Sequence, residues 1–332
     1  MKKLLTIILI TLMLCGCSKS NNVPKIDDRN RPSVSGILQV KDGKLCDEKD
    51  NPVMLRGASI NDIMVSERYI NNEAFSDLSH LGINVIRLAM YTRGMGSMGY
   101  CTGGEKERLK TDMNNGINYA KDNDMYAIID WHILDDGDPN TYIEDSKEFF
   151  DEMSNKYKDY NNVIYEICNE PNKVDWPTIK KYAEVIIPII RNNDPDSLII
   201  VGTPNYSQDV DIAAEDPLNF DNILYTLHFY SATHKQELRD KAQIALNKGL
   251  PIFVTEYGVT SSNGSFPVDT DEADVWIDFL EANNISYVMW QYSRVAEASA
   301  MISRQCDKTS GFEYDDFTDA GKWLIDTISK HE

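Results

Sequence analysis

Eight short runs rich in β-branched residues alternate with longer segments of helical periodicity, and this alternation limits the fold more than any other feature of the chain. The runs span residues 53–59, 83–90, 126–132, 163–169, 198–203, 223–230, 251–258 and 286–292. Between and after them, apolar residues recur at helical spacing over 107–123, 145–160, 178–193, 235–249, 271–283 and 319–331. Strands that alternate with helices are typical of a parallel sheet, and eight such units in one domain predict an α/β fold, the (β/α)8 TIM barrel.

A doubly wound open sheet is the alternative to the barrel, because it uses the same alternation of strands and helices. No glycine-rich phosphate-binding turn follows the first run to support an open sheet. Ahead of that run, residues 35–51 are predicted to form a hairpin with Asp42 and Gly43 at its turn. We expect this hairpin to cap the floor of the barrel.

The N-terminal residues have the form of an export signal. Lys2 and Lys3 precede an apolar run at residues 4–14, which is too short to span a membrane comfortably. The next residues, Leu-Cys-Gly-Cys, resemble the bacterial lipobox, in which the last cysteine is lipidated and becomes the mature N-terminus. We therefore expect residues 1–16 to be a lipoprotein signal peptide and Cys17 to carry the lipid. Ordinary cleavage and secretion is the alternative.

The rest of the chain divides into a tether and one domain. Residues 17–34 are polar and typical of a tether, whereas residues 35–332 keep regular apolar segments without a break in composition. The sequence therefore predicts a single folded domain, exported and anchored to a membrane, that faces the cell exterior or the periplasm. A monomer is expected.

Charge and cysteine content argue against several classes of function. The formal net charge of -20 argues against nucleic acid and polyanionic substrates as partners. Outside the export signal, Cys46, Cys101, Cys168 and Cys306 show no CxxC spacing, so a zinc cluster is not predicted, although one disulfide pairing stays open. The sequence also lacks an HExxH motif, and we expect neither a metal nor a cofactor.

Polar and aromatic residues recur where the predicted strands end, which is where barrel enzymes place their chemistry. They are Arg87, Asp130, Trp131, His132, Asn169, Glu170, Tyr206, His228, Tyr230, Glu256, Tyr257 and Trp290. Each residue taken singly has a structural explanation, such as a salt bridge or a buried histidine. Their joint occurrence at seven of the predicted strand ends indicates one functional site.

Two glutamates suggest the chemistry of this site. Glu170 follows the fourth run and Glu256 lies near the end of the seventh, so we expect them to face each other across the rim. Glycoside hydrolysis needs two such carboxyl groups, one to protonate the leaving oxygen and one to attack or assist at the anomeric carbon. Trp290, Tyr206 and Tyr91 offer flat faces for sugar rings.

Six segments carry a distinctive combination of motifs. They are IYEICNEPN, DWHILDDGDPNTY, NVIRLAMYT, IVGTPNYSQDV, LHFYSATH and FVTEYG. Together they resemble the bacterial cellulases of glycoside hydrolase family 5, and the resemblance extends from about Ser35 to the C-terminus. It implies that Glu170, in the Asn-Glu-Pro element, is the general acid/base and that Glu256 is the nucleophile of a retaining reaction.

The same resemblance implies supporting roles for neighbouring residues. Arg87 and Tyr230 are expected to orient and stabilise the nucleophile. Asn169 is expected to hydrogen-bond the sugar 2-hydroxyl, and His228 to hold the acid/base network. These residues complete the predicted catalytic centre.

The residues around the bound sugar are expected to match those of the family only in part. His132 is expected to line the sugar site, Trp290 to form its floor and Glu297 to contact the same sugar. Val295 stands where relatives place a lysine, and Val65 stands about where they place a stacking tryptophan. The resemblance therefore implies a weakened glycone-side sugar site beside an intact pair of carboxyl groups.

The leading hypothesis is an exported, retaining endo-β-1,4-glucanase that acts on neutral cellulose-type or mixed-linkage chains, amorphous or soluble. A β-mannanase or glucomannanase on the same catalytic core is the alternative within the enzyme class. From another class, a surface carbohydrate-binding lipoprotein without catalysis is a third hypothesis, against which the intact pair Glu170 and Glu256 argues.

Overall fold

A short hairpin precedes a closed barrel of eight parallel strands in the computed structural model, which describes residues 30–94 and 98–331. The hairpin strands are β1 (Gln39–Lys41) and β2 (Lys44–Cys46). The barrel strands are β3 (Arg56–Ile60), β4 (Val85–Tyr91), β5 (Tyr126–His132), β6 (Val163–Glu166), β7 (Leu198–Val201), β8 (Ile223–Tyr230), β9 (Ile252–Gly258) and β10 (Tyr287–Tyr292). Because β10 pairs with β3, the ring closes, so the predicted (β/α)8 barrel is confirmed and the open sheet is wrong.

The short helix α1 (Pro32–Ser35) precedes the hairpin. The other helices follow the barrel strands and surround the barrel. They are α2 (Asn72–His80), α3 (Lys106–Asp122), α4 (Ile143–Tyr157), α5 (Trp176–Asn193), α6 (Pro204–Ser207), α7 (Val210–Ala213), α8 (Gln236–Asn247), α9 (Thr270–Asn283) and α10 (Asp319–His331). Short 3-10 helices lie at Glu67–Tyr69, Pro139–Tyr142 and Tyr314–Asp316. The six predicted helices are confirmed as α3, α4, α5, α8, α9 and α10, with ends shifted by three residues at most. The sequence pattern does not predict α2, which begins where Asn71 accepts a hydrogen bond from the Ala74 amide (2.9 Å).

The hairpin closes the lower end of the barrel, where the strands begin, as predicted. Asp42 and Gly43 both have positive φ (48° and 74°), the combination that a tight turn between twisted strands requires. Leu38 and Leu45 pack against the lower parts of the barrel strands. The buried side chains that they join are Val53, Leu55, Val85, Tyr126, Ile128, Ile164, Leu198, Ile200, Leu224, Phe253 and Val288. The lower barrel interior is therefore an ordinary apolar core.

The folded domain begins before residue 35, the boundary that the sequence predicts. Arg31 is buried ahead of α1. Its guanidinium donates hydrogen bonds to Ser79 Oγ (2.9 Å) and to the Ile83 carbonyl (3.0 Å). The tether predicted at 17–34 is therefore too long at its C-terminal end, because Arg31 and α1 belong to the barrel.

The predicted signal peptide (1–16) and the lipid-bearing Cys17 lie outside the described residues. Within residues 30–94 and 98–331, no helix has the length and apolar character needed to cross a membrane. The cysteines of the same ranges are free thiols, so the disulfide that the sequence leaves open does not form among them. They are Cys46, Cys101, Cys168 and Cys306.

β9 contains one more residue than its neighbours over the same length. Thr226 on β8 pairs with Phe253 on β9, and His228 pairs with Glu256. Between these two pairs β8 advances by two residues and β9 by three. β10 shows a similar offset on the other side of β9. A bulge of this kind re-aims side chains. As a result Thr255 and Glu256, which are adjacent, both contact residues inside the barrel.

Candidate active site

The upper half of the barrel interior is polar and buried. Its side chains are Arg87 on β4, Asp130 and His132 on β5, Glu166 on β6, Thr226, His228 and Tyr230 on β8, Thr255 and Glu256 on β9, and Trp290 on β10, with the half-buried Tyr91 at the end of β4. Asn169 and Glu170 join them from the loop after β6. Most of the residues predicted from strand ends are thus brought together at one end of the barrel.

Two predicted placements of residues at strand ends are wrong. Arg87 lies in the middle of β4, one layer below the rim, rather than at the end of the strand. β6 ends at Glu166, so Asn169 and Glu170 lie beyond it. The backbone N–H of Asn169 still donates to the Trp131 carbonyl of β5 (3.2 Å), which keeps this segment beside the barrel.

Glu170 and Glu256 face each other across the rim. One carboxylate oxygen of each and one ring nitrogen of His228 all lie within 4.8 Å of one another. Glu170 is 9% exposed and Glu256 is 4% exposed. Burial raises the pKa of both carboxyl groups, because the charged form loses its hydration.

Glu256 is surrounded by hydrogen-bond donors. Arg87 Nη1 donates to its Oε2 (3.1 Å), and the Tyr230 hydroxyl donates to its Oε1 (2.7 Å). Burial and the neighbouring Glu170 raise the pKa of Glu256, and the Arg87 guanidinium lowers it. Because both donors stabilise negative charge, Glu256 is the carboxyl group that ionises more readily.

Glu170 contacts a histidine nitrogen that accepts a hydrogen bond rather than donating one. Thr255 Oγ1 donates to Glu166 Oε1 (2.6 Å), so its oxygen accepts from His228 Nε2 (3.0 Å). In a neutral imidazole this leaves Nδ1 of His228 without a proton. Nδ1 lies 2.9 Å from Glu170 Oε1, and this hydrogen bond therefore requires a proton on Glu170.

The electrostatics agree with this arrangement of protons. Burial first, then Asp130 and Glu166, raise the pKa of Glu170 to about 8, against the opposite effect of Arg87. Burial lowers the pKa of His228 to about 4, so its ring is neutral near pH 7. The two carboxyl groups of the site therefore differ in charge near pH 7. Glu170 keeps its proton, whereas the donors around Glu256 favour its carboxylate form.

Arg87 is the centre of a buried ion cluster. Its Nε donates to Glu166 Oε2 (2.7 Å), and its Nη2 lies 3.0 Å from Asp130 Oδ2 and donates to Asn169 Oδ1 (2.6 Å). Arg87, Asp130 and Glu166 are fully buried. Charges withdrawn from water in this way persist only when they are paired, so the cluster holds the guanidinium in one position under Glu256.

Asn169 connects the cluster to His132. Because Asn169 Oδ1 accepts from Arg87, its Nδ2 is a donor, 3.0 Å from the Ile133 carbonyl and 3.3 Å from His132 Nε2. His132 Nδ1 then carries the proton and donates to Asp130 Oδ2 (2.6 Å). Burial lowers the pKa of His132 to about 3, which keeps the ring neutral.

A cavity of about 210 Å³ opens above the two glutamates. The His132 ring stacks on Trp290 (5.4 Å between centroids, 15° between planes) and lies against Tyr91 (4.1 Å, 31°). Glu297 lines the same cavity and accepts a hydrogen bond from Gln291 Nε2 (2.8 Å). The predicted sugar contacts His132, Trp290, Tyr91 and Glu297 thus border one space, and this space also contains Glu170 and Glu256.

A second cavity of about 440 Å³ continues on the other side of Glu170. It is bordered by Glu170 and Tyr206 but not by Glu256. Tyr206 is 41% exposed and presents its ring to solvent. Val65, at the position where a stacking tryptophan is expected in relatives, is 58% exposed and borders neither cavity.

Glu170, His228 and Glu256 are close enough to hold a metal ion by distance alone. Their donor atoms are already used within the protein, however. Both Glu256 oxygens accept hydrogen bonds from Arg87 and Tyr230, and His228 Nδ1 faces Glu170 Oε1. The guanidinium also places a positive charge beside Glu256. These contacts suit proton transfer between carboxyl groups and substrate better than cation binding.

Glu166 and Thr255 belong to the site but are absent from the sequence-based set. Glu166 carried a usable signal, because an ionisable residue inside the apolar run VIYEICNE needs a buried partner as much as Glu170 does. Thr255 carried none, since a β-branched residue is ordinary in a strand. The bulge in β9 that turns Thr255 and Glu256 inward has no pattern in the sequence.

A closed (β/α)8 barrel with two buried glutamates at the carboxyl ends of its strands, beside aromatic rings and open cavities, has the form of a glycoside hydrolase. Comparison with known proteins identifies the particular family. The family described as Cellulase (glycosyl hydrolase family 5) matches residues 46–295. The chain belongs to this family, and it is a glycoside hydrolase.

Individual relatives agree with this assignment. Endoglucanase A of Butyrivibrio fibrisolvens is 45% identical over 300 residues, which cover 89% of this chain and 69% of the relative. An endoglucanase of Clostridium saccharobutylicum is 44% identical, with 89% of this chain and 66% of the relative covered. The chain thus spans about two thirds of the length of these relatives. The catalytic domain of Thermobifida fusca endoglucanase Cel5A, solved in complex with cellotetraose, is 32% identical, with a TM-score of 0.84 and coverage of 90% of this chain and 98% of that one.

Proposed function

We propose that the protein is an endo-acting β-1,4-glucanase that hydrolyses its substrate by double displacement with retention of configuration. The observation that carries the proposal is the close pair of carboxyl groups with opposite surroundings. Oxygens of Glu170 and Glu256 lie within 4.8 Å of each other. Retaining enzymes hold the two carboxyl groups roughly 5 to 5.5 Å apart, whereas inverting enzymes need roughly 6.5 to 9.5 Å to admit a water.

In the first step Glu256 attacks the anomeric carbon and Glu170 donates its proton to the glycosidic oxygen. The carbon–oxygen bond to the leaving sugar breaks as the bond to Glu256 forms, which gives a covalent glycosyl-enzyme. In the second step Glu170, now ionised, takes a proton from water while the water oxygen attacks the anomeric carbon. Glu256 leaves as a carboxylate, and Glu170 regains its proton, so the enzyme returns to its starting state.

The hydrogen bonds support these two roles. Arg87 and Tyr230 donate to Glu256, which favours its ionised, nucleophilic form before attack. The His228 nitrogen that faces Glu170 is an acceptor, which favours the protonated acid. Thr255 and Glu166 act one step further away, because they set which nitrogen of His228 carries the proton.

The two cavities give the substrate a direction. The attacked sugar must touch Glu256, so the glycone lies in the cavity that contains Glu256 and Trp290. The leaving sugar must touch Glu170 only, so the aglycone lies in the cavity bordered by Glu170 and Tyr206. Trp290, Tyr91 and His132 are proposed to hold the glycone, with Asn169 near its 2-hydroxyl. Both sides are open cavities, which suits cleavage within a chain.

Hydrolysis of a polysaccharide panel tests the proposal. The panel is amorphous acid-swollen cellulose, mixed-linkage β-glucan, glucomannan and galactomannan, with new reducing ends and the first-formed anomer measured. We expect the highest rate on the two β-glucans and the β-anomer first. A faster reaction on galactomannan would identify a β-mannanase instead, absence of new reducing ends on every polymer would identify a binding protein, and the α-anomer would identify an inverting enzyme.

We also propose that the protein is exported and held at a membrane by a lipid on Cys17. The support is the sequence alone: a basic start, an apolar run and a lipobox-like Leu-Cys-Gly-Cys. Cys17→Ala should move the protein out of the membrane fraction without changing the activity of the released domain. Unchanged membrane fractionation of the variant would contradict the anchor.

A further inference from the structure

A third cavity borders the same end of the barrel, between the loop after β9 and the loop after β10. Its volume is about 340 Å³, within the size range of ligand pockets. Phe266, Glu297, Arg304 and Asp319 contribute to its walls. The mechanism proposed above does not use this space.

Phe266 is the most unusual residue of the cavity. Its side chain is 79% exposed, more than any other large hydrophobic side chain among the described residues. An aromatic ring that stays in water forgoes the burial that usually stabilises it. The flat apolar face of a pyranose ring is a ligand that would cover it without requiring a deep pocket.

The third cavity adjoins the glycone cavity at one side chain. Glu297 lines both of them. The turn at Gly264 packs directly over Glu297, since a Cβ on Gly264 would lie 2.7 Å from its Oε2. The loop that carries Phe266 is therefore fixed against the wall of the catalytic cavity rather than standing apart from it.

The position of the third cavity identifies the sugar that it would bind. The glycone cavity contains Glu256, and the third cavity meets it at Glu297, on the side that does not contain Tyr206. A chain whose attacked sugar contacts Glu256 would therefore extend past Glu297 toward Phe266. The space belongs to a sugar further from the cleaved bond, on the glycone side.

Arg304 adds a polar group suited to this ligand. Its side chain is exposed and makes no ion pair or hydrogen bond within residues 30–94 and 98–331. Most other arginines of the same ranges are paired, for example Arg56 with Glu281 and Arg294 with Asp307. An unpaired guanidinium offers several donors to ring hydroxyls at the edge of a stacked sugar.

We propose that Phe266 and Arg304 form a distal glycone subsite, in which the third sugar from the cleaved bond stacks on Phe266, accepts hydrogen bonds from Arg304 and donates one to Glu297. This inference rests on the proposed β-glucanase function. It makes Phe266, on the loop after β9, the distal aromatic contact, while Val65 remains outside the cavities.

Two aryl glycosides of different length test the subsite. In 4-nitrophenyl β-cellobioside the two sugars fill only the positions nearest the cleaved bond, whereas 4-nitrophenyl β-cellotrioside adds the third. Phe266→Ala should lower kcat/KM for 4-nitrophenol release from the trioside about threefold to tenfold and leave the bioside unchanged. Arg304→Ala should act in the same direction with a smaller effect, and Phe266→Trp should restore or raise the trioside rate.

Phe220→Ala is the matched control. Phe220 is also exposed (36%) and borders a cavity, but that cavity lies at the lower end of the barrel beside Pro251. If Phe266→Ala reduces both substrates equally, or changes neither more than Phe220→Ala does, the subsite is overturned while the glucanase function stands. If the wild type releases 4-nitrophenol from neither substrate, the proposed function fails and the subsite with it.

Discussion

The two halves of the barrel interior are built on the same eight strands but differ in chemistry. Phe253 and Thr255 are two residues apart on β9, and both are fully buried. Phe253 packs among Ile200, Val288 and other apolar side chains of the lower half. Thr255 lies in the upper half, where its hydroxyl connects Glu166 to His228.

This difference separates stability from activity along a single strand. The lower half gains stability from apolar burial, which needs shape and volume but no particular proton. The upper half withdraws charges from water, which costs free energy unless the charges are paired. Substitutions in the lower half should therefore change the free energy of unfolding, and those in the upper half should change rate and pH dependence.

The largest effect is expected from Glu256→Gln in the upper half. The amide cannot attack the anomeric carbon, so kcat/KM should fall by about four orders of magnitude or more on every substrate. The control is Glu297→Gln in the same cavity, which should change kcat/KM by about tenfold at most. Initial rates on 4-nitrophenyl β-cellobioside and on β-glucan measure both, and comparable losses in the two variants would contradict the role of Glu256.

Glu170→Ala should show a loss that depends on the leaving group. A glucan leaves as a poor alkoxide and needs the proton, so its kcat/KM should fall by about 10² to 10⁴. An activated aryl group leaves without protonation, so the first step on an aryl cellobioside should be affected much less. Equal losses on glucan and on 2,4-dinitrophenyl β-cellobioside would show that Glu170 is not the acid.

Phe253→Ala tests the lower half. Removing a fully buried ring should lower the free energy of unfolding by about 3 to 5 kcal/mol, because the space it leaves cannot close completely. Well below the new midpoint, kcat/KM should match the wild type, since the Phe253 side chain packs in the apolar cluster of the lower half and carries no polar group. Denaturant unfolding and initial rates on the same preparation measure the two quantities. A loss of activity in fully folded protein would break the division between the halves.

The smallest of these effects is a shift of pH profile in Thr255→Val. In the wild type, the pKa of about 8 at Glu170 means that the acid is present below pH 8 and lost as pH rises through it. Glu256 must be ionised, so kcat/KM falls again at low pH and the profile is bell-shaped. Without the Thr255 hydroxyl, His228 can carry its proton on Nδ1 and stabilise ionised Glu170. The high-pH side of the profile, the upper limb, should then shift to lower pH by about one pH unit.

Thr226→Val is the control for this shift. The Thr226 hydroxyl touches the Thr255 hydroxyl but neither His228 nor Glu170. Its upper limb should stay within a few tenths of a pH unit of the wild type. If the upper limb of the pH profile does not move in Thr255→Val, or moves equally in both variants, then Thr255 does not link Glu166 to the acid Glu170 through His228.

The sequence predicts the lower half and the strand count better than it predicts the interior of the upper half. Eight apolar runs are enough to identify the barrel, and the Asp42-Gly43 turn identifies the hairpin. Parallel strands are apolar on both faces, however, so a run such as VIYEICNE does not show which residues point inward. For that reason the extent of β6, the depth of Arg87 and the role of Glu166 emerge only from the structure.

The rim residues were predictable because their chemistry is specific. Glu170 and Glu256 stand out as carboxyl groups at the ends of apolar runs, and the structure brings them together. Thr255 was not predictable, because its inward direction depends on the bulge in β9. Phe266 was not predictable either, since only the exposed fraction of its side chain distinguishes it from a core phenylalanine.

The central claim is that Glu256 forms a covalent bond to the glycone while Glu170 supplies and recovers the proton. 2,4-Dinitrophenyl 2-deoxy-2-fluoro-β-cellobioside tests it most directly, because the fluorine slows the second step and the covalent intermediate accumulates. Mass spectrometry of the intact protein and of its peptides should find one fluorocellobiosyl group per chain, attached to Glu256, with burst release of dinitrophenol. Attachment to Glu170, or turnover without any labelled protein, would contradict the account.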